Sequence, residues 1–417
     1  MDNLAAFNLF IAAFFMVCYL YQLFYICVST FKKPKDNKNY KLNRIAVMIS
    51  ARNEQAVISK LIESIKSQHY PKKLLDIYVV ADNCTDQTAI TAKNAGAIVY
   101  ERFNRAYVGK GYALEFLFDK VIKANKQRPY DAYIILDADN ILDENFVFEI
   151  NKTFCSGYQI VTSYRNSKNY GTNWISAGHS LWFLRESRQL NSSRMLLNTS
   201  CAVSGTGFLV SNKIIERQGG WKHFLLTEDI EFTIDNILKG EKIGYSPKAV
   251  LYDEQPTSFS QSFNQRLRWA KGNLQVYMKY AKELFTGLFS SQGFACFDMT
   301  MTIMPAFFVT VVSVAVNLIA TFAGVITNSD IILLMISVFK TLLSAYLMLF
   351  FAGAVATVTE WKNINCKPVK KVLYCFSFPL FMLTYIPISI IAVFKKVKWK
   401  PIYHTAALSL NDIKNEY

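Results

Sequence analysis

The stretch YIILDADN, residues 133–140, runs four apolar or aromatic side chains straight into two aspartates separated by one alanine. Tyr, Ile and Leu in series are the composition of a central strand of a parallel sheet, buried on both faces, so Asp137 and Asp139 are expected at its C-terminal edge. Ligands of open α/β sheets gather at that edge. Residues two apart in extended backbone share a side, so both carboxylates can face one point while Ala138 faces away. One divalent cation would settle their repulsion. The same pattern also suits an Asx turn or a helix cap, and the pair alone does not choose.

The flanking sequence repeats the theme. RIAVMISARNE has a hydrophobic run, Ile45 to Ile49, that stops at a polar turn. LDIYVVADNCTDQTA gives a strand to Val80, then Asp82 and Asn83, then a helix capped by Thr85 or Asp86 and closed near Gly96. A third strand at Ala97 to Tyr100 and the helical YALEFLFDKVIKAN complete the approach to YIILDADN. Strands alternating with helices predict a right-handed, largely parallel, doubly wound α/β sheet. A dinucleotide fold is excluded by the first turn, Ala51-Arg52-Asn53-Glu54, which is not GxGxxG, and there is no GxxxxGK[ST]. A nucleoside diphosphate bound through a metal to Asp137 and Asp139, with Asp82 near the base or ribose, would account for the acids.

The chain has 417 residues, 52% hydrophobic and 15% aromatic, and a positive mean hydropathy, too apolar for an ordinary soluble enzyme. Leu4 to Phe31 carry no charge, and the start MDN lacks the basic region of a signal peptide, so an uncleaved anchor is expected. Thr300 to Ser329 and Val372 to Phe394 are also uncharged, and Ile331 to Thr359 is broken only by Lys340. The net charge of +15 reflects lysines beside these segments, at 32, 33, 35, 38 and 41, at 362, 367, 370 and 371, and at 395, 396, 398 and 400. That is the positive-inside pattern, so nucleic acid is set aside and a bilayer is the expected partner. It predicts a multi-pass protein of the cell membrane, with a cytoplasmic middle domain and an outer Asn328-Ser329-Asp330 turn. Four full spans would leave the basic tail outside; Pro379 and Pro387 suggest that the last segment is broken and returns it. The eight cysteines have no CxxC spacing, and His179, His223 and His404 have no ligand spacing, so no zinc is expected.

In order along the chain, ARNE, VVADNCTDQTA, LDADN, SGTGFLVS, TEDIE and QRLRW, framed by membrane segments, resemble the processive family 2 glycosyltransferases, which include cellulose, hyaluronan, chitin and capsular polysaccharide synthases. The resemblance covers roughly residues 44 to 272. It implies a GT-A fold, a UDP-sugar donor, Mn²⁺ or Mg²⁺, a growing β-linked polysaccharide as acceptor and inverting transfer, with no obligatory protein partner. It divides the chain into an anchor (1–31), a basic linker (32–44), a glycosyltransferase domain (45–257), QRLRW and interfacial helices (258–297), membrane helices (298–394) and a basic tail (395–417). The tail motif WKPIYHT resembles the family's cytoplasmic element near the channel mouth.

By the same resemblance Asp82 contacts the uridine, Asn53 or Glu54 lines the nucleotide pocket, and Asp137 and Asp139 serve metal and diphosphate. Asp229, preceded by Glu228, is the general base. Alone, Thr227-Glu228-Asp229 is also a good helix start, where a carboxylate would be a weak base. Gln265, Arg268 and Trp269 fall at i, i+3 and i+4, one helix face, with Arg268 suited to the departing diphosphate and Trp269 to the C–H face of an acceptor sugar. The alternative is an amphipathic helix with Trp and Arg at the bilayer surface. Gly205 and Gly207 let backbone approach the sugar or merely turn the chain. Lys110 touches phosphate or is a solvated loop lysine. UDP-glucose, with or without UDP-glucuronate, is the favoured donor; a lipid-acceptor transferase and an inactive polysaccharide-binding scaffold are the rivals.

Overall fold

In the computed structural model, residues 2–32, 39–326, 331–399, 401, 402, 404 and 406–415 are described. Lys33, Lys35, Lys38, Lys400 and the Asn328–Asp330 turn, expected to mark the two membrane faces, lie outside them. The globular part is built on eight strands, β1 Ile45–Ala51, β2 Leu75–Asp82, β3 Ile98–Arg102, β4 Ala132–Asp137, β5 Ile141–Leu142, β6 Ile160–Ser167, β7 Phe208–Ser211 and β8 Ile243–Asp253. They form one sheet in the order β3-β2-β1-β4-β7-β6-β8-β5. Alternate residues of β4 feed two cores. Tyr133 and Ile135 pack with Leu114, Leu117 and Phe118 of the helix Lys110–Ala124, and Ile134 and Leu136 pack with Ile58, Leu61 and Ile62 of the helix Ile58–Lys66. Both faces are covered, which is why the strand reads as an unbroken apolar run.

The largely parallel expectation holds only for β3-β2-β1-β4. β7 is antiparallel to β4 and to β6, β5 is antiparallel to β8, and only β6 with β8 is parallel, so the sheet is mixed. The strand–helix alternation that carried the expectation ends at β4. Beyond it the chain enters β7 through a loop whose Gly205 and Gly207 have positive φ, and the Gly207 N–H donates to Ile135 O at 2.9 Å. A Cβ at Gly207 would stand 1.8 Å from Leu251, so only glycine fits there. Because β7 runs against β4, it begins where β4 ends. The Ser204–Gly207 loop therefore sits beside Asp137.

Three helical stretches among the described residues, Ala6–Phe31, Val338–Thr359 and Pro368–Phe394, are long and apolar enough to cross a membrane; Pro305–Ile326 carries the other uncharged segment. The last stretch is two helices, Pro368–Leu383 and Tyr385–Phe394. They break at Thr384 because Pro387 offers no N–H to the carbonyl of residue 383. Both ends of this pair meet the globular domain: Lys370 Nζ donates to Gly171 O at 2.8 Å, and Lys271 Nζ donates to Ala392 O at 3.0 Å. The tail then docks on the domain, with Ala406 N–H donating to Glu254 at 2.9 Å and Ile413 buried beside Ile141 and Tyr252. The expected interfacial helices after QRLRW are a single helix, Phe259–Gly287, followed by Gly293–Ile303.

Candidate functional site

The acids of YIILDADN are not placed by strand alternation. β4 ends at Asp137, because its N–H is taken by Thr206 Oγ1 at 2.9 Å and Asn140 Oδ1 at 3.1 Å. Ala138 and Asp139 lie in a turn closed by Asn140 N–H to Asp137 O, 3.2 Å. Both carboxylates still line one cavity of about 1040 Å³, but with different neighbours. Asp137 pairs with the Lys110 ammonium, which also donates to Gly205 O at 2.7 Å. Asp139 accepts the Glu254 N–H at 3.0 Å and lies 3.9 Å from His404 Nε2.

His404, which sequence spacing gave no reason to choose, completes this side. Its Nδ1 is 3.1 Å from both oxygens of Glu54, 350 positions away. A carboxylate that fixes one imidazole nitrogen leaves the other for a cation, the usual arrangement behind a ligating histidine. No group of three His, Cys, Asp or Glu residues forms a closed metal cage among the described residues. Asp139 with His404 is a two-donor half-site, suited to a divalent cation whose remaining ligands are diphosphate oxygens and water. Burial would raise Asp139, but His404 and Lys168 hold it below the usual carboxylate range. Burial would lower His404, yet Asp139 and Glu54 push it up to about 10, so a cation bound at Nε2 would have to displace that proton. Glu54 rises to about 7 by burial.

The other expected nucleotide contacts divide. Asp82 lines the cavity and is buried against Arg102 at 2.5 Å. Asn53 is outside the cavity lining. Its side chain accepts the Thr85 N–H at 2.8 Å and donates to Thr85 Oγ1 at 3.1 Å, holding its own positive-φ turn. Arg52 takes the place beside Glu54 in the lining, its guanidinium 5.2 Å from the Trp399 ring of the tail. Asp86, not Thr85, serves the following helix, accepting from Thr88 N at 3.0 Å.

Across the cavity, Glu228 and Asp229 open the helix Glu228–Leu238. Thr227 makes no side-chain cap; Asp229 itself takes the backbone N–H of Ile230. Burial and the charge of Asp229 push Glu228 up to about 7. Burial also raises Asp229, against the backbone N–H of Ile230 and the nearby Lys110 and Arg268. The weak base expected at a helix N-terminus is thus strengthened by desolvation. A Cβ on Gly205 would lie 3.6 Å from Asp229 Oδ2, so its backbone closes on the same point. Lys110 is no solvated loop residue. Burial would lower it, yet Asp137, Glu228 and Asp229 raise it, making it the shared cation between the two acidic groups.

Gln265, Arg268 and Trp269 all line the cavity from the helix Phe259–Gly287, as their spacing requires. Trp269 is wedged edge-on between His179 and Phe183, with ring centroids at 5.6 and 5.9 Å. Gln265 Oε1 is buried without a partner among the described residues. Arg266, about 100° round the helix from Gln265, anchors the helix: its Nη1 donates to Phe381 O at 3.0 Å and Thr384 Oγ1 at 2.6 Å, where the last apolar stretch breaks. From these residues the cavity continues between the long apolar helices, past Ile11, Phe15, Met16, Val314, Leu349 and Ile386.

This mixed sheet with an acidic edge is a GT-A-like fold. The fold of a mannosyltransferase, PcManGT from Pyrobaculum calidifontis, solved in complex with GDP-mannose and Mn²⁺, matches it with a TM-score of 0.59 at 15% identity, covering 94% of this chain and 99% of that one. Residues 43–272 match the model of glycosyltransferase-like family 2, and the chain belongs to that family. It is 27% identical over 271 residues to a probable glycosyltransferase, YdaM, of Bacillus subtilis, covering 60% of each. It is 24% identical over 248 residues to a poly-β-1,6-N-acetyl-D-glucosamine synthase of Staphylococcus epidermidis, covering 58% of each. A β-monoglucosyldiacylglycerol synthase of Synechocystis is 24% identical over 249 residues, covering 58% of this chain and 50% of that one. The chain thus spans 50 to 60% of the length of these curated relatives. Membership agrees with the expectation of a glycosyltransferase; the relatives include makers of both polymer and glycolipid.

Proposed function

We propose that the protein is an inverting hexosyltransferase that moves a sugar from a UDP-sugar to a hydroxyl of a lipid-borne acceptor arriving from the membrane. The observation that carries this reading is the single cavity that joins Asp137, Asp139 and Asp229 to the apolar lining between the membrane helices. Asp229 takes the acceptor proton as the acceptor oxygen forms its bond to the anomeric carbon. The bond from that carbon to the diphosphate breaks, and UDP leaves with its electron pair. Asp139 and His404 would hold Mn²⁺ or Mg²⁺, which would supply positive charge for the departing diphosphate. Arg268 and Lys110 stabilise the same charge, Asp82 with Arg102 faces the nucleoside, and Gln265 and Trp269 orient the acceptor.

The lipid acceptor departs from the polymer expected on resemblance. A glycan crossing at membrane depth would bring many hydroxyls against Ile11, Phe15, Val314 and Leu349, and each one left unsatisfied costs about 2–7 kcal/mol. The Asn8 and Asn317 amides, the polar pair between the first helix and Pro305–Ile326, bond each other at 3.0 and 2.8 Å. Polymer synthesis on the cytoplasmic face of the cell membrane remains the second reading, supported by the Gln265-Arg268-Trp269 face. The test is UDP release by the detergent-purified protein over a panel of UDP-sugars with Mn²⁺ or Mg²⁺, followed by mass analysis of the product. A glycolipid with one or a few sugars is expected. A long glycan would establish the second reading, and no turnover with any donor would sink both.

A further inference from the structure

Four arginines, Arg165, Arg185, Arg188 and Arg194, lie on β6 and the helical run from Trp174 to Leu196. Three have carboxylate partners: Arg165 with Asp253, Arg188 with Glu360 at 3.4 Å, and Arg194 with Asp298 in a two-bond fork at 2.7 and 2.9 Å. Arg185 has none within ion-pair distance among the described residues. Its guanidinium donates to Gln22 Oε1 of the N-terminal helix, a neutral acceptor, and lies 5.5 Å from the Trp182 ring. It also lines the cavity, as do Gln22, Tyr19 and Trp182.

The position of this cation along the cavity is informative. On the N-terminal helix the lining is Ile11, Ala12, Phe15 and Met16, then Tyr19, Leu20, Gln22, Leu23 and Ile26, and Tyr21 and Tyr25 in the latter turns reach Asp298 at 2.9 and 2.7 Å. Hydroxyl and amide groups join the apolar side chains there, as they do at the level of lipid head groups. Arg185 stands at that boundary. The backbone is adapted to it: Glu186–Asn191 form a π-helical turn inserted between two α-helical segments, and such turns recur at functional sites. Arg185, Glu186, Leu190 and Arg194, from around this turn, all face the cavity.

We propose that Arg185 and Gln22 form the head-group subsite of the acceptor, and that its ligand is a lipid bearing a phosphate. The inference rests on the membrane-acceptor reading above. The apolar chains of such a lipid lie among Ile11, Phe15 and Val314, its phosphate meets the guanidinium, and its acceptor group extends toward Asp229. A planar guanidinium binds a phosphate through two parallel N–H donors, and an amide beside it supplies a further N–H. Glu186 does not oppose this assignment. Burial raises it, and its charged neighbours in order of strength are Arg194, Arg165 and Asp229, with Arg185 last. It faces the reacting end of the cavity and suits the hydroxyls there.

The test measures lipid retention by the full-length protein in detergent, with three probes of matched chain length: a polyprenyl phosphate, a phosphatidylglycerol and a neutral diacylglycerol. The wild type should hold at least one phosphate lipid about tenfold more tightly than the diacylglycerol, the factor expected for hydrogen bonds to a charged group. Preference between the two phosphate lipids identifies the source. Arg185→Gln should abolish the difference and Arg185→Lys should restore part of it. Gln22→Glu, which places a carboxylate on the guanidinium without removing it, should weaken phosphate lipids alone and covers the case of an unfolded arginine variant. Equal retention of all three lipids by the wild type, or unchanged phosphate preference in Arg185→Gln or Gln22→Glu, would overturn the proposal. Wild-type protein that prefers phosphate lipid but releases no UDP from any UDP-sugar would instead overturn the transfer reading.

Discussion

Asp139 and the pair Glu228 and Asp229 face one cavity and are held in opposite states. Asp139 lies among His404, Lys168 and Arg165, which keep it ionised and below the usual range. Glu228 and Asp229 are buried against each other, with Lys110 and Arg268 as their cations, and both are raised. The residues are of the same chemical kind, so their environment alone separates them. A carboxylate pushed down is an electrostatic holder for a metal and diphosphate; one pushed up is a proton acceptor near neutral pH. Lys110 connects the two, paired with Asp137 and within the field of Glu228 and Asp229.

The comparison breaks most easily at Asp229. Asp229→Asn should lower sugar transfer about 10³-fold, the scale of a lost general base, while UDP binding measured by calorimetry stays near the wild-type value. A loss below about tenfold in turnover would move the proton acceptor elsewhere. Asp139→Ala comes next. Transfer should fall about 10²-fold, equivalent to about 2.7 kcal/mol of charge stabilisation, and Mn²⁺ binding followed by electron paramagnetic resonance should weaken in parallel. Retained Mn²⁺ binding would make Asp139 a structural partner of the Glu254 N–H and assign the metal to Asp137. A smaller effect belongs to Trp269→Ala, which should raise the acceptor KM about tenfold with the donor KM little changed, as for a lost stacking surface.

The sequence made the nucleotide side legible and left the other side largely hidden. β1, β2 and β4 could be read because each buries both faces and ends in a polar turn, a signal contained within about a dozen residues. Asp82, Asp137 and Asp139 sit at such ends, Asp229 sits at a helix start, and Gln265, Arg268 and Trp269 share a face through helical periodicity alone. His404 could not be found this way, since its partner Glu54 is 350 positions distant and one histidine in a tail has no spacing to read. Arg185 with Gln22, 163 positions apart, escaped for the same reason. The antiparallel half of the sheet was missed because β7 is four residues long, too short for a period, and its direction is set by glycines whose φ the sequence does not state. Of the alternatives Asn53 and Glu54, Glu54 lines the cavity, while the Asn53 amide is spent on Thr85, a choice that a matching motif does not make.

The smallest effect tests the raised pair directly. If Glu228 and Asp229 share their charge as the burial implies, kcat/KM should rise with pH through a limb well above the ordinary carboxylate range, near the value of about 7 held by Glu228. Glu228→Gln removes the like charge beside Asp229, so the limb should move to lower pH by about one unit, or roughly 1.4 kcal/mol. Folding stability supplies an independent reading. A carboxyl raised in the folded state binds more protons there than in the unfolded chain, so its contribution to stability falls as pH rises from the unfolded value through the folded one. The Gln variant escapes that loss and should unfold at a higher temperature than wild type above about pH 7, with the gap closing as the solution approaches the ordinary glutamate pKa of about 4.3. A limb that stays in place while the stability gap appears would show that Glu228 is buried for packing and that Asp229 is tuned by desolvation alone.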